Sequence, residues 1–198
     1  MAEIVVFHSV LGVRSGVTEV SERMRFAGHV VHVPDLYNGK VFDDYPSAFQ
    51  WIESIGGVPE LVNRTQAAVA GMSRELVYVG FSNGGLSAEL LAATRPGARG
   101  AVLMHAAAPL AAFGASEWPV TVPVQVHYAV EDPFRHEDAL DAFGAAVRAS
   151  GAGYDFFEYD VSGHLFTDPS LPDEYDKEAT ELITERILAY LERIDRVG

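Results

Sequence analysis

The chain of 198 residues contains no cysteine, which excludes disulfides, iron–sulfur clusters and a cysteine nucleophile. Basic residues are scarce: 14 Lys and Arg stand against 28 Asp and Glu, for a formal net charge of −14. Such a surface repels phosphate backbones and anionic bilayers, so no nucleic acid and no membrane is expected as a partner. No apolar run approaches the length of a membrane span. No H-E-x-x-H and no glycine-rich phosphate loop followed by lysine occurs. His29 and His32 lie three apart on an expected strand, point to opposite faces and cannot share a metal. The start, "MAEIVVFHSVLGVRSG", is too short and too weakly basic for a signal peptide and reads as an immediate first strand, so the cytoplasm is the expected location. There is no repeat, linker or low-complexity tract, and the length suits one domain over residues 1–198.

Nearly half of the residues are hydrophobic, enough for a substantial core. Short apolar runs alternate with amphipathic stretches. Strands are expected at 3–9, 29–34, 75–80, 100–107, 124–130 and 154–160. Helices are expected at 15–27, 59–72, 83–94, 136–150 and 173–193, the last with apolar residues spaced by three and four. The aromatic region 35–57 reads as irregular. This alternation predicts an α/β fold of three layers, a mostly parallel sheet of about six to seven strands with helices on both faces. Ligands of such sheets sit beyond the carboxyl ends of the strands.

Those ends carry the chemistry. After the third strand comes Gly80-Phe81-Ser82-Asn83-Gly84, a G-x-S-x-G pattern between a strand and a helix. The sharp corner presents the Ser82 hydroxyl at a helix N-terminus, which favours developing negative charge. The same glycines also suit an ordinary connection whose serine caps the helix. A serine hydroxyl needs a base, and the base an orienting acid. "YAVEDPF" after the fifth strand offers Asp132, held extended by Pro133, with Glu131 as the alternative. Of seven histidines, His164 alone follows a strand late in the chain, in "VSGHLF", without opening a helix. The backbone N–H of Asn83 is one expected oxyanion donor. The loop "HSVLGVRSG" supplies the other at Val10, with Ser9 or Leu11 one register away. The aromatics from Tyr37 to Trp51 suit either core packing or the lip of a pocket.

Together, "FHSVLGVRSGV", "AGHVVHVPDLYNGKVFDD", "VGFSNGG", "HYAVEDPF" and "SGHLFTDPSLPDEYD" resemble successive landmarks of the dienelactone hydrolase family, a compact branch of the α/β-hydrolases. The resemblance covers nearly the whole chain in family order. It implies a nucleophile at Ser82, an acid at Asp132, a base at His164, an oxyanion hole from Val10 and Asn83, and no cofactor. Serine replaces the cysteine carried by the best-known members. Ser9 stands where those members have a glutamate. Asp168 stands where they carry an arginine that holds a substrate carboxylate, and an acid there would repel one. These departures point to an uncharged ester, thioester or lactone. The short segment 109–122 leaves no room for a large lid, which favours small acyl groups. A non-catalytic ligand-binding relative, and an acyltransferase or perhydrolase using the same groups, are the alternative readings. A monomer or weak homodimer is expected.

Overall fold

The computed structural model describes residues 1–197. Six strands form one parallel sheet in the order β2-β1-β3-β4-β5-β6: β1 (Glu3–Phe7), β2 (Val30–His32), β3 (Leu76–Phe81), β4 (Gly100–Met104), β5 (Val124–Glu131) and β6 (Tyr154–Ser162). Six helices connect and cover them: α1 (Ser15–Phe26), α2 (Tyr45–Ser54), α3 (Gly57–Val69), α4 (Asn83–Thr94), α5 (Glu137–Ser150) and α6 (Lys177–Val197). A parallel sheet buried on both faces needs apolar residues at successive positions, and β1, β3 and β4 supply them.

Side-chain alternation divides these residues between two cores. Val5, Phe7, Leu76, Tyr78, Ala101 and Leu103 face the layer containing α2 to α5. Ile4, Val6, Val77, Val79, Val102 and Met104 face α1 and α6. Helix α4 lies almost wholly inside the protein, from Gly84 to Ala92. It is apolar nearly all round, as a buried helix must be. Its buried polar residues are Ser87, 2.9 Å from the Thr65 hydroxyl, and Glu89, which is fully buried.

The strand order reverses between β1 and β3, because the chain steps outward to β2 and then back across β1. Connections leaving the carboxyl ends of β1 and β3 therefore diverge and open a crevice. Val10 and Ser82 lie on those two connections.

Several expected bounds change. Region 35–57 is not wholly irregular, because α2 begins at Tyr45. Asp44 caps it by accepting from the Ser47 amide at 2.7 Å, and Pro46 occupies the first turn. Strand β4 ends at Met104 rather than Ala107, because His105 takes a left-handed φ of 62°. Strand β2 is only three residues long and sits at the edge of the sheet with one partner. Helix α6 starts at Lys177 because Asp173 to Asp176 first wrap around the segment after His164.

Candidate active site

The corner at Ser82 follows from two glycines. A Cβ on Gly80 would drive into the Gly84 carbonyl, and one on Gly84 into the backbone of Phe7 and His8. Only glycine lets strand and helix cross so closely. Ser82 itself takes φ 54° and ψ −118°, a costly conformation for a residue with a side chain. The corner is held open by hydrogen bonds. The Ser82 amide donates to the Met104 carbonyl at 2.7 Å, and the Ser82 carbonyl accepts from Gly85 at 2.7 Å and Leu86 at 3.2 Å.

The Ser82 hydroxyl lies 2.6 Å from His164 Nε2. His164 Nδ1 lies 2.9 and 2.8 Å from the two oxygens of Asp132. A carboxylate only accepts, so Nδ1–H donates to Asp132 and the Nε2 lone pair accepts from Ser82. All three residues are buried. Asp132 is fixed in turn by the Phe134 amide, which donates to Oδ1 at 2.8 Å. His164 follows Gly163 at φ 99° and is walled edge-on by Phe134, His105 and Tyr45, with ring centroids 4.7, 5.8 and 5.9 Å away. Glu174 secures the segment: it accepts from the Leu165 amide at 2.6 Å and from the Tyr45 hydroxyl at 2.9 Å.

Glu131 stands apart. It ends β5, pairs with Ser162 in the ladder, and lines a separate acidic cleft with Asp160, Asp173 and Asp176. The structure thus brings Asp132, not the alternative, to His164.

The loop after β1 is built around His8. The Leu36 amide donates to His8 Nε2 at 3.0 Å, so His8 Nδ1–H donates to the Ser9 carbonyl at 2.7 Å. Burial holds the His8 pKa below its ordinary value, keeping this neutral tautomer. The Leu11 amide donates to the Ser9 hydroxyl at 3.2 Å, which engages one of the two register alternatives to Val10 in the loop's own bonding. Val10 and Asn83 both line the cavity at Ser82. Among the described residues, neither amide donates an intramolecular hydrogen bond. An N–H at the first position of a helix has no partner within that helix, so both remain free for a ligand oxygen.

That cavity encloses about 320 Å³. Its walls are mainly apolar: Leu86, Ala106, Ala107, Ala108 and Tyr128 on one side, Tyr45, Phe49 and Phe134 at the mouth. No lysine or arginine lines it. A larger cavity, about 540 Å³ between Arg99, Pro123, Tyr190 and Ile194, lies at the opposite ends of the strands and contains none of these groups. Among the described residues no cluster of three His, Asp or Glu could hold a metal, and no helix is long and apolar enough to cross a membrane.

Asp168 departs from the sequence reading. It does not line the cavity. It is buried and accepts from Arg14 Nε at 3.1 Å, and from the Gly16 amide and the Ser15 hydroxyl at 3.1 Å each. Arg14 also donates to the carbonyls of Phe42 (2.7 Å) and Ser170 (3.1 Å). This pair ties together the loop after β1, the segment before α2 and the segment after His164. Its charge is balanced within the protein, so it does not repel a ligand in the cavity.

The aromatics of region 35–57 separate by role. Tyr37 is core, with Phe42 and Trp51 packed on the same cluster. Tyr45 and Phe49 reach the cavity. Sequence reading also missed His105, Glu89 and Phe134. Phe134 had a signal, two residues after the acid. His105 is buried, its Nε2 lies 3.1 Å from the Thr167 hydroxyl, and burial beside His164 holds its pKa well below the ordinary histidine value. Glu89 Oε2 accepts from the Ala108 amide at 2.9 Å, while Oε1 is buried without a partner.

A parallel sheet with a serine on the corner after β3, an acid after β5 and a histidine after β6 defines the α/β-hydrolase class. Solved structures share this fold. The dienelactone hydrolase-like promiscuous phosphotriesterase P91 from metagenomic libraries aligns with a TM-score of 0.82 at 20% identity, over 98% of this chain and 87% of its own. A Bacillus cereus carboxylesterase aligns at 0.62 with 16% identity, over 98% and 88%. Esterase PE8 aligns at 0.62 with 17% identity, over 98% and 92%. No curated protein matches the chain in sequence. The sequence profile of the dienelactone hydrolase family matches residues 1–195, and the chain belongs to that family.

Proposed function

We propose that this protein is a serine hydrolase that cleaves small, uncharged esters, thioesters or lactones. The observation that carries the reading is the continuous chain Ser82 Oγ, His164 Nε2, His164 Nδ1, Asp132, all within hydrogen-bond distance. His164 takes the Ser82 proton as Oγ attacks the carbonyl carbon. The carbonyl oxygen becomes an oxyanion and accepts from the Val10 and Asn83 amides. As the tetrahedral intermediate collapses, the bond to the leaving group breaks and His164 donates the proton to it. A water molecule, deprotonated by His164, then attacks the Ser82 ester; the acyl bond to Oγ breaks, His164 returns the proton to Oγ, and the acid leaves. Asp132 holds the imidazole in the correct tautomer and stabilises its cationic form.

The absence of a cation from the cavity wall favours uncharged substrates. Its modest volume favours short acyl groups. The reading takes residues 1–198 as one hydrolase domain acting without a cofactor, with a small-molecule substrate. Labelling with a fluorophosphonate probe tests it: wild type is modified, Ser82→Ala is not, and undiminished labelling of that variant refutes the assignment. The same variant serves as the blank in a screen of short esters, thioesters and lactones.

A further inference from the structure

Three aromatic rings stand at the mouth of the cavity. Tyr45 and Phe134 pack edge-on against the His164 ring. Phe49 meets both, with centroids 6.4 Å from Tyr45 and 6.3 Å from Phe134. Phe49 is 43% exposed and Phe134 38% exposed, so neither is spent on the core. Two partly uncovered phenyl rings in contact, both lining a cavity, offer apolar area that a ligand can cover.

The chemistry of the site assigns the side on which they stand. In acylation the C–O bond to the leaving group breaks while its oxygen takes the proton from His164 Nε2. That oxygen must therefore lie within hydrogen-bond reach of Nε2. Rings packed around His164 border the leaving group, and the alanine-rich wall of Ala106, Ala107 and Ala108 is left for the acyl part. The Tyr45 hydroxyl is occupied by Glu174, so this ring offers its face and edges rather than a hydrogen bond.

We propose that Tyr45, Phe49 and Phe134 form a subsite for an aromatic leaving group, so that the preferred substrates are esters of aryl-bearing alcohols with short acyl chains. The inference rests on the serine hydrolase reading. An incoming ring completes an edge-to-face cluster in place of water, and the alcohol departs directly to solvent.

The test compares 2-phenylethyl acetate with propyl acetate, whose leaving alcohols have similar acidity, so that differences report binding. Wild type is expected to favour the phenylethyl ester about tenfold in kcat/KM, mostly through KM. Phe49→Ala should reduce the preference to about twofold, the loss falling on the KM of the phenylethyl ester more than on that of propyl acetate. Phe49→Trp should retain the preference. Equal turnover of the two esters by wild type, an equal advantage for 2-cyclohexylethyl acetate, or an unaltered preference in Phe49→Ala would overturn the proposal. A second arm keeps the two readings separable. Calorimetric binding of 2-phenylethanol to Ser82→Ala, weakened by adding Phe49→Ala, supports the subsite whether or not Ser82 proves to be the nucleophile, and no weakening overturns it. Ester hydrolysis that survives Ser82→Ala overturns the nucleophile alone.

Discussion

Glu89 offers a quantitative test of the buried layer beneath the site. Its carboxyl is fully buried in α4, with one oxygen receiving the Ala108 amide and the other unpartnered. Desolvation raises its pKa well above the ordinary carboxylate value, opposed only by that amide. The folded protein therefore holds this proton at pH values where the unfolded chain, with an ordinary pKa of about 4.3, has lost it. A native state that binds one more proton than the unfolded state loses stability as pH rises, by about 1.4 kcal/mol per pH unit. The loss begins above the unfolded pKa and ends where the folded carboxyl ionises. Glu89→Gln keeps an oxygen for the Ala108 amide and removes the proton linkage. Across pH 5.0 to 6.5 the variant should therefore gain stability relative to wild type for as long as the folded carboxyl keeps its proton. Urea denaturation of both proteins across this range measures the difference directly. Parallel stability curves would show that Glu89 is already ionised in the folded state and would refute the argument.

Other outcomes follow from the same geometry. Asp132→Asn leaves the site in place but loses the acceptor that orients His164, and kcat on a short p-nitrophenyl ester should fall about 10³- to 10⁴-fold. Glu131→Gln, outside the site, should change that kcat by less than about twofold, a contrast that separates the two adjacent acids. Gly84→Ala forces a Cβ against the Phe7 and His8 carbonyls, and soluble expression or thermal melting should show loss of the fold. Arg14→Ala strands Asp168, whose side chain is only 7% exposed, and should cost about 3 kcal/mol in chemical denaturation.

The parts legible in the sequence were those set by local rules. β1, β3 and β5 announced themselves as apolar runs, and the glycine-bounded corner at Ser82 followed from its neighbours. The order of acid and histidine then located Asp132 and His164, because a parallel sheet gathers its strand ends at one edge. What escaped depended on distant packing. His105 ends β4 in a left-handed conformation that no glycine advertises. Helix α2 had its start signal in Asp44 and Pro46, obscured by a run of aromatics that suggested a loop. The Arg14–Asp168 pair joins residues 154 positions apart, and no spacing rule reaches that far. Glu89 sat in an otherwise apolar helix as an anomaly whose burial only the fold reveals.

The Arg14–Asp168 pair has a consequence for how the molecule opens. Three surface connections share a single buried ionic knot, so none can detach without exposing the knot and freeing the other two. They should behave as one cooperative unit in native-state hydrogen exchange, with the amides of Gly16, Leu171 and Asp176 protected to a common free energy instead of fraying separately. The Val10 loop and the His164 segment then rise and settle together, and the molecule spends little time with one half of its machinery assembled and the other half loose.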